Sequence, residues 1–198
     1  MKIFYVIKLR DPFLRSYFDL IRFVANPSEK RTTHITVRGP YNQKFNFVGL
    51  NRLIKGKRIL ISGVGNFFNY NQNTVYLKAD SPEMPKIWLK KGLDYNPHIT
   101  IYDGHSRLLA ESIYLLFYKF SFSIEFNSSE LVPLIVSKGQ ADLDLSLIVN
   151  ESLLSNFCNN NLTLNDIRDL SDSDRFTILN SLISYLPNIN SSFKSIDK

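Results

Sequence analysis

Short runs of β-branched and aromatic residues mark the predicted strands of this chain. Runs of this kind, bounded by Gly, Pro, Asn or Asp, are typical of β-strands. They occur at residues 2–9, 58–68 and 74–79, and in two shorter runs at 34–37 and 98–101. The polar residues 69–73 separate two of the longer runs, which are therefore predicted to form a hairpin. The strand at 34–37 is expected to end at Gly39-Pro40.

Two longer segments have the periodicity of amphipathic helices. In residues 13–25, apolar side chains recur at helical spacing, which leaves Arg15, Asp19 and Arg22 expected on the opposite side. Residues 107–119 show the same spacing. Shorter helical segments are predicted within 45–56, where a strand also fits the pattern, and within 81–93.

The order of these elements divides residues 1–126 into two related halves. Each half contains one strand with the sequence His-Ile-Thr-aliphatic, HITV at 34–37 and HITI at 98–101. The order predicts an α+β fold with mostly antiparallel pairing. From residue 127 the composition shifts to Asn, Ser, Asp and Leu, so residues 127–198 are expected to form a mainly helical C-terminal extension of unknown role.

The repeated tetrapeptide carries the candidate chemistry. Residues two apart in a strand project to the same face, so His34 and Thr36 project together, as do His98 and Thr100. A neutral imidazole can accept a proton from an attacking hydroxyl, and an imidazolium can protonate a leaving oxygen. Threonine hydroxyls can donate hydrogen bonds to phosphate oxygens. The set suits phosphoryl chemistry, and either histidine fits either role.

The paired HxTx motifs, HITV and HITI, resemble those of the 2H phosphoesterase superfamily, which includes 2′-5′ RNA ligase-like proteins and cyclic phosphodiesterases. The segment 60–79, which contains Gly-Val-Gly-Asn-Phe, is similar to the hairpin between the two motifs of that family. The resemblance covers about residues 1–126. It implies a bilobal, pseudo-twofold fold with antiparallel sheets and flanking helices. It also implies that His34 and His98 are catalytic and that Thr36 and Thr100 bind phosphate.

Residues near the motifs are further candidates. Strand alternation places Arg38 on the face of His34, where it would bind phosphate, and the alternative is a surface arginine at a strand end. Tyr102 holds the same position after the second motif, and Tyr41 and Phe67 are also candidates for stacking on a base. For all three aromatic residues the alternative is packing in the core or cleft wall.

Composition narrows the classes of partner. The net charge is +6 and the pI is about 9.3, which favours anionic partners such as nucleotides or RNA. A single cysteine excludes a disulfide framework and a multi-cysteine zinc site, and the spacing of His98, Asp103 and His105 gives no convincing metal site. No cofactor or metal is predicted. No apolar run is long enough for a membrane span or a signal-peptide core, so a cytoplasmic protein is expected.

These features predict a metal-independent phosphodiesterase, a hydrolase acting on a 2′-5′ linkage or a 2′,3′-cyclic phosphate in a nucleotide or RNA. One alternative is a hydrolase of cyclic di- or oligonucleotide second messengers in defence or counter-defence. The other is a nucleotide- or RNA-binding module without turnover. The oligomeric state is not predicted.

Overall fold

A computed structural model describes residues 2–29, 31–43, 46, 48–87, 95–120, 122–136 and 163–193. Six strands and seven helices occur in these ranges. In chain order they are β1 (Lys2–Leu9), α1 (Pro12–Ala25), β2 (His34–Tyr41), α2 (Val48–Ile54), β3 (Arg58–Phe68), β4 (Asn73–Asp80), α3 (Met84–Ile87), β5 (His98–Gly104), α4 (Arg107–Lys119), β6 (Ser123–Val136), α5 (Leu164–Asp169), α6 (Asp172–Ser184) and α7 (Leu186–Phe193).

The strands pair in the order β1-β2-β5-β4-β3-β6, and β6 also pairs with β1. Every one of these pairings is antiparallel, and helices flank the sheet. The predicted α+β class with antiparallel pairing is therefore confirmed. The contact between β2 and β5 is the shortest of the six, with one aligned pair, Thr36 and His98.

The aliphatic positions of the two motifs build the core, and this fixes which way the polar positions project. Ile35, Val37, Ile99 and Ile101 are at most 1% exposed and belong to the main hydrophobic cluster. Burial of each such side chain contributes roughly 1.5–3 kcal/mol. Because strand side chains alternate, the histidine and threonine of each motif lie on the opposite face of the sheet.

Helix α1 departs from its predicted polarity. Asp19 and Arg22, expected on its polar side, are 1% and 2% exposed. They are buried because Glu29, Thr32 and Thr33 lie against this side of the helix. These residues supply hydrogen bonds and an ion pair, which offset the cost of removing charge from water. The predicted solvent-facing side of this helix is therefore wrong at these two positions.

The boundary expected at residue 126 falls inside a strand. β6 runs from Ser123 to Val136 and pairs with both β1 and β3. The expected helical structure is therefore wrong for 127–136, because this segment pairs with β1 and completes the sheet. Residues 163–193 form three helices, and α6 packs against α1 and α4.

Three shorter predictions also have an outcome. β2 does not end at Gly39-Pro40, because the chain stays in the sheet until Tyr41 pairs with Ile3. The ambiguous segment 45–56 contains helix α2. The helix predicted within 81–93 is present as α3, and the remaining residues of that segment, 88–93, lie outside the described part of the chain.

Candidate functional site

The two HxTx motifs lie beside each other on antiparallel strands. Thr36 is aligned with His98 in the β2–β5 pairing. His34 and Thr100 lie two residues from this pair on the same two strands, and strand alternation places them on the same face. Aligned residues of antiparallel strands lie about 5 Å apart. The four residues therefore form a small array on one face of the sheet, centred on the Thr36–His98 pair. The structure brings together the four residues expected from the motifs.

Both imidazoles are anchored in the same way. The Nδ1 atom of His34 lies 2.8 Å from the carbonyl oxygen of Thr32, and the Nδ1 atom of His98 lies 2.7 Å from that of Asn96. A carbonyl oxygen only accepts hydrogen bonds, so each Nδ1 carries the proton. The lone pair of the neutral ring is consequently on Nε2. Each motif thus uses the carbonyl two residues before its histidine to set the tautomer.

A buried polar network fixes the segment that carries the first anchor. The carbonyl oxygen of Thr32 also accepts a hydrogen bond from Nη1 of Arg22, at 3.3 Å. The Asp19 carboxylate accepts from the hydroxyl groups of Thr32 and Thr33, each at 2.6 Å, and from the Thr33 amide at 2.5 Å. The ion pair between Arg22 and Glu29, 3.1 Å long, completes the network. Helix α1 therefore holds the backbone that orients His34.

This environment keeps His34 neutral. Burial is the main cause that lowers the pKa of His34, and the Arg22 and Arg31 guanidinium groups lower it further, to about 3, against the opposing hydrogen bond to Thr32. Burial alone would raise the pKa of Glu29, but Arg22 and Arg31 lower it to about 2. Burial raises the pKa of Asp19 despite the hydrogen bonds that it accepts. Near neutral pH His34 is therefore a proton acceptor.

Aromatic rings surround His98. Its ring centroid lies 5.0 Å from that of Tyr76 and 5.9 Å from that of Phe67, and the Phe67 and Tyr76 rings stack at 4.6 Å. Phe67 is 45% exposed, whereas Tyr76 is 7% exposed. Phe67 was a sequence candidate and lies beside the array. Tyr76 was not, although its pairing with Thr100 places it on the same face.

The two glycines of the Gly-Val-Gly segment have different structural roles near this aromatic cluster. Gly63 has a φ of 70° where the β3–β4 register shifts. This left-handed conformation favours glycine. Gly65 is aligned with Tyr76, and a Cβ at position 65 would lie 2.4 Å from the Tyr76 ring. The Tyr76 ring therefore occupies the space that any larger residue at position 65 would need.

The remaining sequence candidates lie elsewhere or outside the described side chains. Tyr102 is 4% exposed, and its hydroxyl accepts a hydrogen bond from the Ser106 amide at 3.2 Å. Its expected position on the motif face is wrong, because a register shift between β4 and β5 breaks the alternation there. Tyr41 packs edge-on against Tyr5, with ring centroids 6.1 Å apart. The backbone of Arg38 pairs with Tyr5, and its side chain lies outside the described part of the chain.

Acidic residues and histidines beyond the array make local hydrogen bonds. Within the described ranges, no cluster of three or more His, Cys, Asp or Glu residues is arranged to hold a metal ion. Asp103 instead accepts hydrogen bonds from Gln72 and Thr74, and the Nδ1 atom of His105 lies 2.8 Å from the Asn71 carbonyl oxygen. None of the helices in these ranges has the length and apolar content needed to cross a membrane.

No protein-family model matches the chain, and no curated protein sequence matches it. The candidate site therefore depends on the residues and geometry described above.

Proposed function

We propose that the protein is a metal-independent phosphodiesterase acting on a nucleotide or RNA phosphodiester, either a 2′-5′ linkage or a 2′,3′-cyclic phosphate. The observation that carries the proposal is the pair of imidazoles with matched Nδ1 anchors on adjacent strands, where His98 is aligned with the threonine of the other motif. Two histidines set in the same tautomer on one face suit a reaction that needs a proton acceptor and a proton donor. The bilobal 2H phosphoesterase fold belongs to the same proposal, and the antiparallel relation of the two motifs supports it.

The environments of the histidines support one division of roles within this proposal. His34 is neutral, so its Nε2 atom accepts the proton of the attacking hydroxyl, which is water or a neighbouring ribose hydroxyl. The oxygen–phosphorus bond to this nucleophile forms while the bond to the leaving oxygen breaks. Protonated His98 donates its Nε2 proton to the leaving oxygen. The hydroxyls of Thr36 and Thr100 donate hydrogen bonds to the non-bridging oxygens, where negative charge develops.

A bound phosphate would make His34 better suited to the role of base. His34 has a low pKa when no anion is present, and a base is most effective when its pKa is near the working pH. A phosphodiester anion placed beside His34 would favour the protonated form of its ring and raise its pKa. His34 would then be a stronger base in the complex than in the protein alone.

The aromatic pair beside His98 supports a nucleotide substrate. Phe67 presents an exposed ring whose other side stacks on Tyr76. A base stacked on such a ring gains about 1–3 kcal/mol. The ring lies within reach of a base attached to the leaving side of the phosphodiester, next to His98.

A substrate panel in EDTA tests the proposal. The panel contains 2′,3′-cyclic AMP, 2′-5′-linked and 3′-5′-linked adenosine oligomers, and cyclic dinucleotides, and products are separated by chromatography. We expect conversion of 2′,3′-cyclic AMP or of the 2′-5′-linked oligomers in EDTA. Selective conversion of cyclic dinucleotides would favour hydrolysis of second messengers instead. Tight binding of a nucleotide that stays unchanged would identify a non-catalytic binding module. Full turnover by the His34→Ala/His98→Ala double variant would contradict the assigned mechanism.

A further inference from the structure

Each histidine of the array has a lysine as its aligned partner on the neighbouring outer strand. Lys8 of β1 is aligned with His34, and Lys78 of β4 is aligned with His98. Aligned residues share a face of the sheet, so both lysines project on the side of the array. Neither lysine is buried. The sequence alone did not indicate them, because their positions depend on strand register.

The two lysines are related by the same approximate twofold symmetry as the motifs. The strand order β1-β2-β5-β4 places one lysine at each outer edge and the histidines between them. Three strand spacings separate β1 from β4, which corresponds to about 14 Å. The array therefore has a cation on the far side of each histidine, beyond both the attacking and the leaving oxygen.

Their charges are available to a ligand. Among the described residues, neither Lys8 nor Lys78 forms an ion pair. The nearest carboxylate along the same face of β4 is Asp80, which accepts hydrogen bonds from the Tyr95 hydroxyl at 2.7 Å and the Ser81 amide at 2.9 Å. Gly63 carries no side chain on the adjacent strand, and the Lys78 stem passes 3.9 Å from where its Cβ would be.

We propose that Lys8 and Lys78 bind the phosphates on either side of the cleaved phosphodiester, so that the preferred substrate is a linear oligonucleotide rather than a single 2′,3′-cyclic nucleotide. The inference rests on the proposed function for the location of the scissile phosphate. The threonine hydroxyls and the histidines surround that central phosphate. Each lysine lies one strand farther out, where the next phosphate of a nucleic-acid strand follows. A cyclic mononucleotide has no group to reach either of them.

Binding of two tetramers tests this inference without requiring cleavage. Both are fluorescently labelled 2′-5′-linked adenosine tetramers, and in one of them the two outer linkages are uncharged methylphosphonates. Affinity is measured by fluorescence anisotropy with the His98→Asn variant, whose amide can replace Nδ1 as donor to the Asn96 carbonyl. The lysine variants are Lys8→Gln and Lys78→Gln. Lys119→Gln is the control, since Lys119 lies at the end of α4 and contacts the Phe120 ring.

We expect the all-phosphodiester tetramer to bind about tenfold more tightly than the neutralised one. Each lysine variant should weaken binding of the charged tetramer only, and should lower the slope of log affinity against log salt by about 0.7. Equal weakening of both tetramers would overturn the inference, because the lysines would then act on the central phosphate. Failure of the all-phosphodiester tetramer to bind, or an equal effect of Lys119→Gln, would also overturn it.

Cleavage of the same charged tetramer by the protein with His98 intact separates this inference from the proposed function. If the protein with His98 intact leaves the charged tetramer uncut but binds it with the expected dependence on both lysines, the phosphodiesterase proposal fails for this substrate and the flanking sites stand. If the tetramer is cut equally well by the lysine variants and the original protein, with unchanged KM, the phosphodiesterase proposal stands and the flanking sites fail.

Discussion

Thr36 lies directly across from His98, so the hydroxyl of one motif neighbours the imidazole of the other. His34 and Thr100 lie two residues from this pair on the same two strands and face the same side of the sheet. The imidazoles and threonine hydroxyls of the candidate site therefore come from both motifs. A site of this kind needs both motifs, so loss of either one should remove half of the side chains that would contact a bound phosphate.

Replacing either histidine of the array should abolish most of the activity. For both His34→Ala and His98→Ala we expect turnover to fall by at least roughly 10²-fold, because each variant lacks one partner of the proton transfer. Steady-state rates on the best substrate of the panel measure the effect. His105→Ala is the matched control, because this third histidine is exposed and anchors to Asn71. A similar loss in the control would indicate that the assay reports folding and not catalysis.

Adding one methyl group at Gly65 should disturb the site without touching a histidine. The new Cβ of Gly65→Ala would lie 2.4 Å from the Tyr76 ring, so the ring must move away from its place beside His98 and Phe67. We expect a rise in KM and a lower kcat, measured on the same substrate. Gly49→Ala is the control, because a Cβ there meets nothing within 4 Å and alanine favours helix α2 by roughly 0.5–1 kcal/mol. Unchanged kinetics in Gly65→Ala would show that Tyr76 has no part in the site.

Local patterns predicted the main strands, helices α1 and α4, and the shared face of the histidine and threonine within each motif. Their periodicity of apolar residues directly reflects which face each element buries. The errors arose where a distant segment decides the outcome. Asp19 and Arg22 follow a polar pattern. They are nevertheless buried and pair with Glu29, Thr32 and Thr33. Tyr102 follows the alternation of its strand in the sequence, but a register shift with β4 turns it into the core.

Three residues beside the candidate site owe their positions to register, which single-strand patterns do not contain. Tyr76 reaches His98 only because it is aligned with Thr100 across β4 and β5. Lys8 and Lys78 are ordinary strand lysines until their partners are known to be histidines. The polar composition of the start of β6 likewise conceals a strand that gains stability by joining β1 to β3.

Removing the exposed aromatic ring should weaken binding more than chemistry. In Phe67→Ala the stacking surface beside His98 is lost, and we expect the affinity for a nucleotide to fall by about 1–3 kcal/mol, with a smaller effect on kcat. Titration calorimetry with the best ligand and steady-state kinetics measure the two quantities. Tyr70→Ala is the control, since Tyr70 is fully exposed just beyond the end of the same strand. Equal effects of the two substitutions would argue against a specific stacking site.

The buried neutral state of His34 should make the fold acid-sensitive in a definite pH range. The unfolded chain binds a proton on this histidine below its ordinary pKa of 6.5, whereas in the folded protein burial and the two guanidinium groups hold the pKa at about 3. The contribution of neutral His34 to the stability of the fold is therefore present above pH 6.5 and is lost as the pH falls toward 3. By pH 4.5 the loss should be about 2–3 kcal/mol.

The variant His34→Asn isolates this contribution, because its amide can still donate to the Thr32 carbonyl but does not titrate. The free energy of unfolding, measured with denaturant from pH 7.5 to 4.5, should fall more in the original protein than in the variant. Glu29, with a folded pKa of about 2, contributes stability that is lost only below its ordinary value of 4.5 and is thus outside this range. The raised pKa of Asp19 has the opposite sign, since a group protonated more readily in the folded state adds stability as the pH falls. Both groups are present in both proteins and cancel in the difference, so parallel pH profiles would show that His34 is not held neutral by the fold.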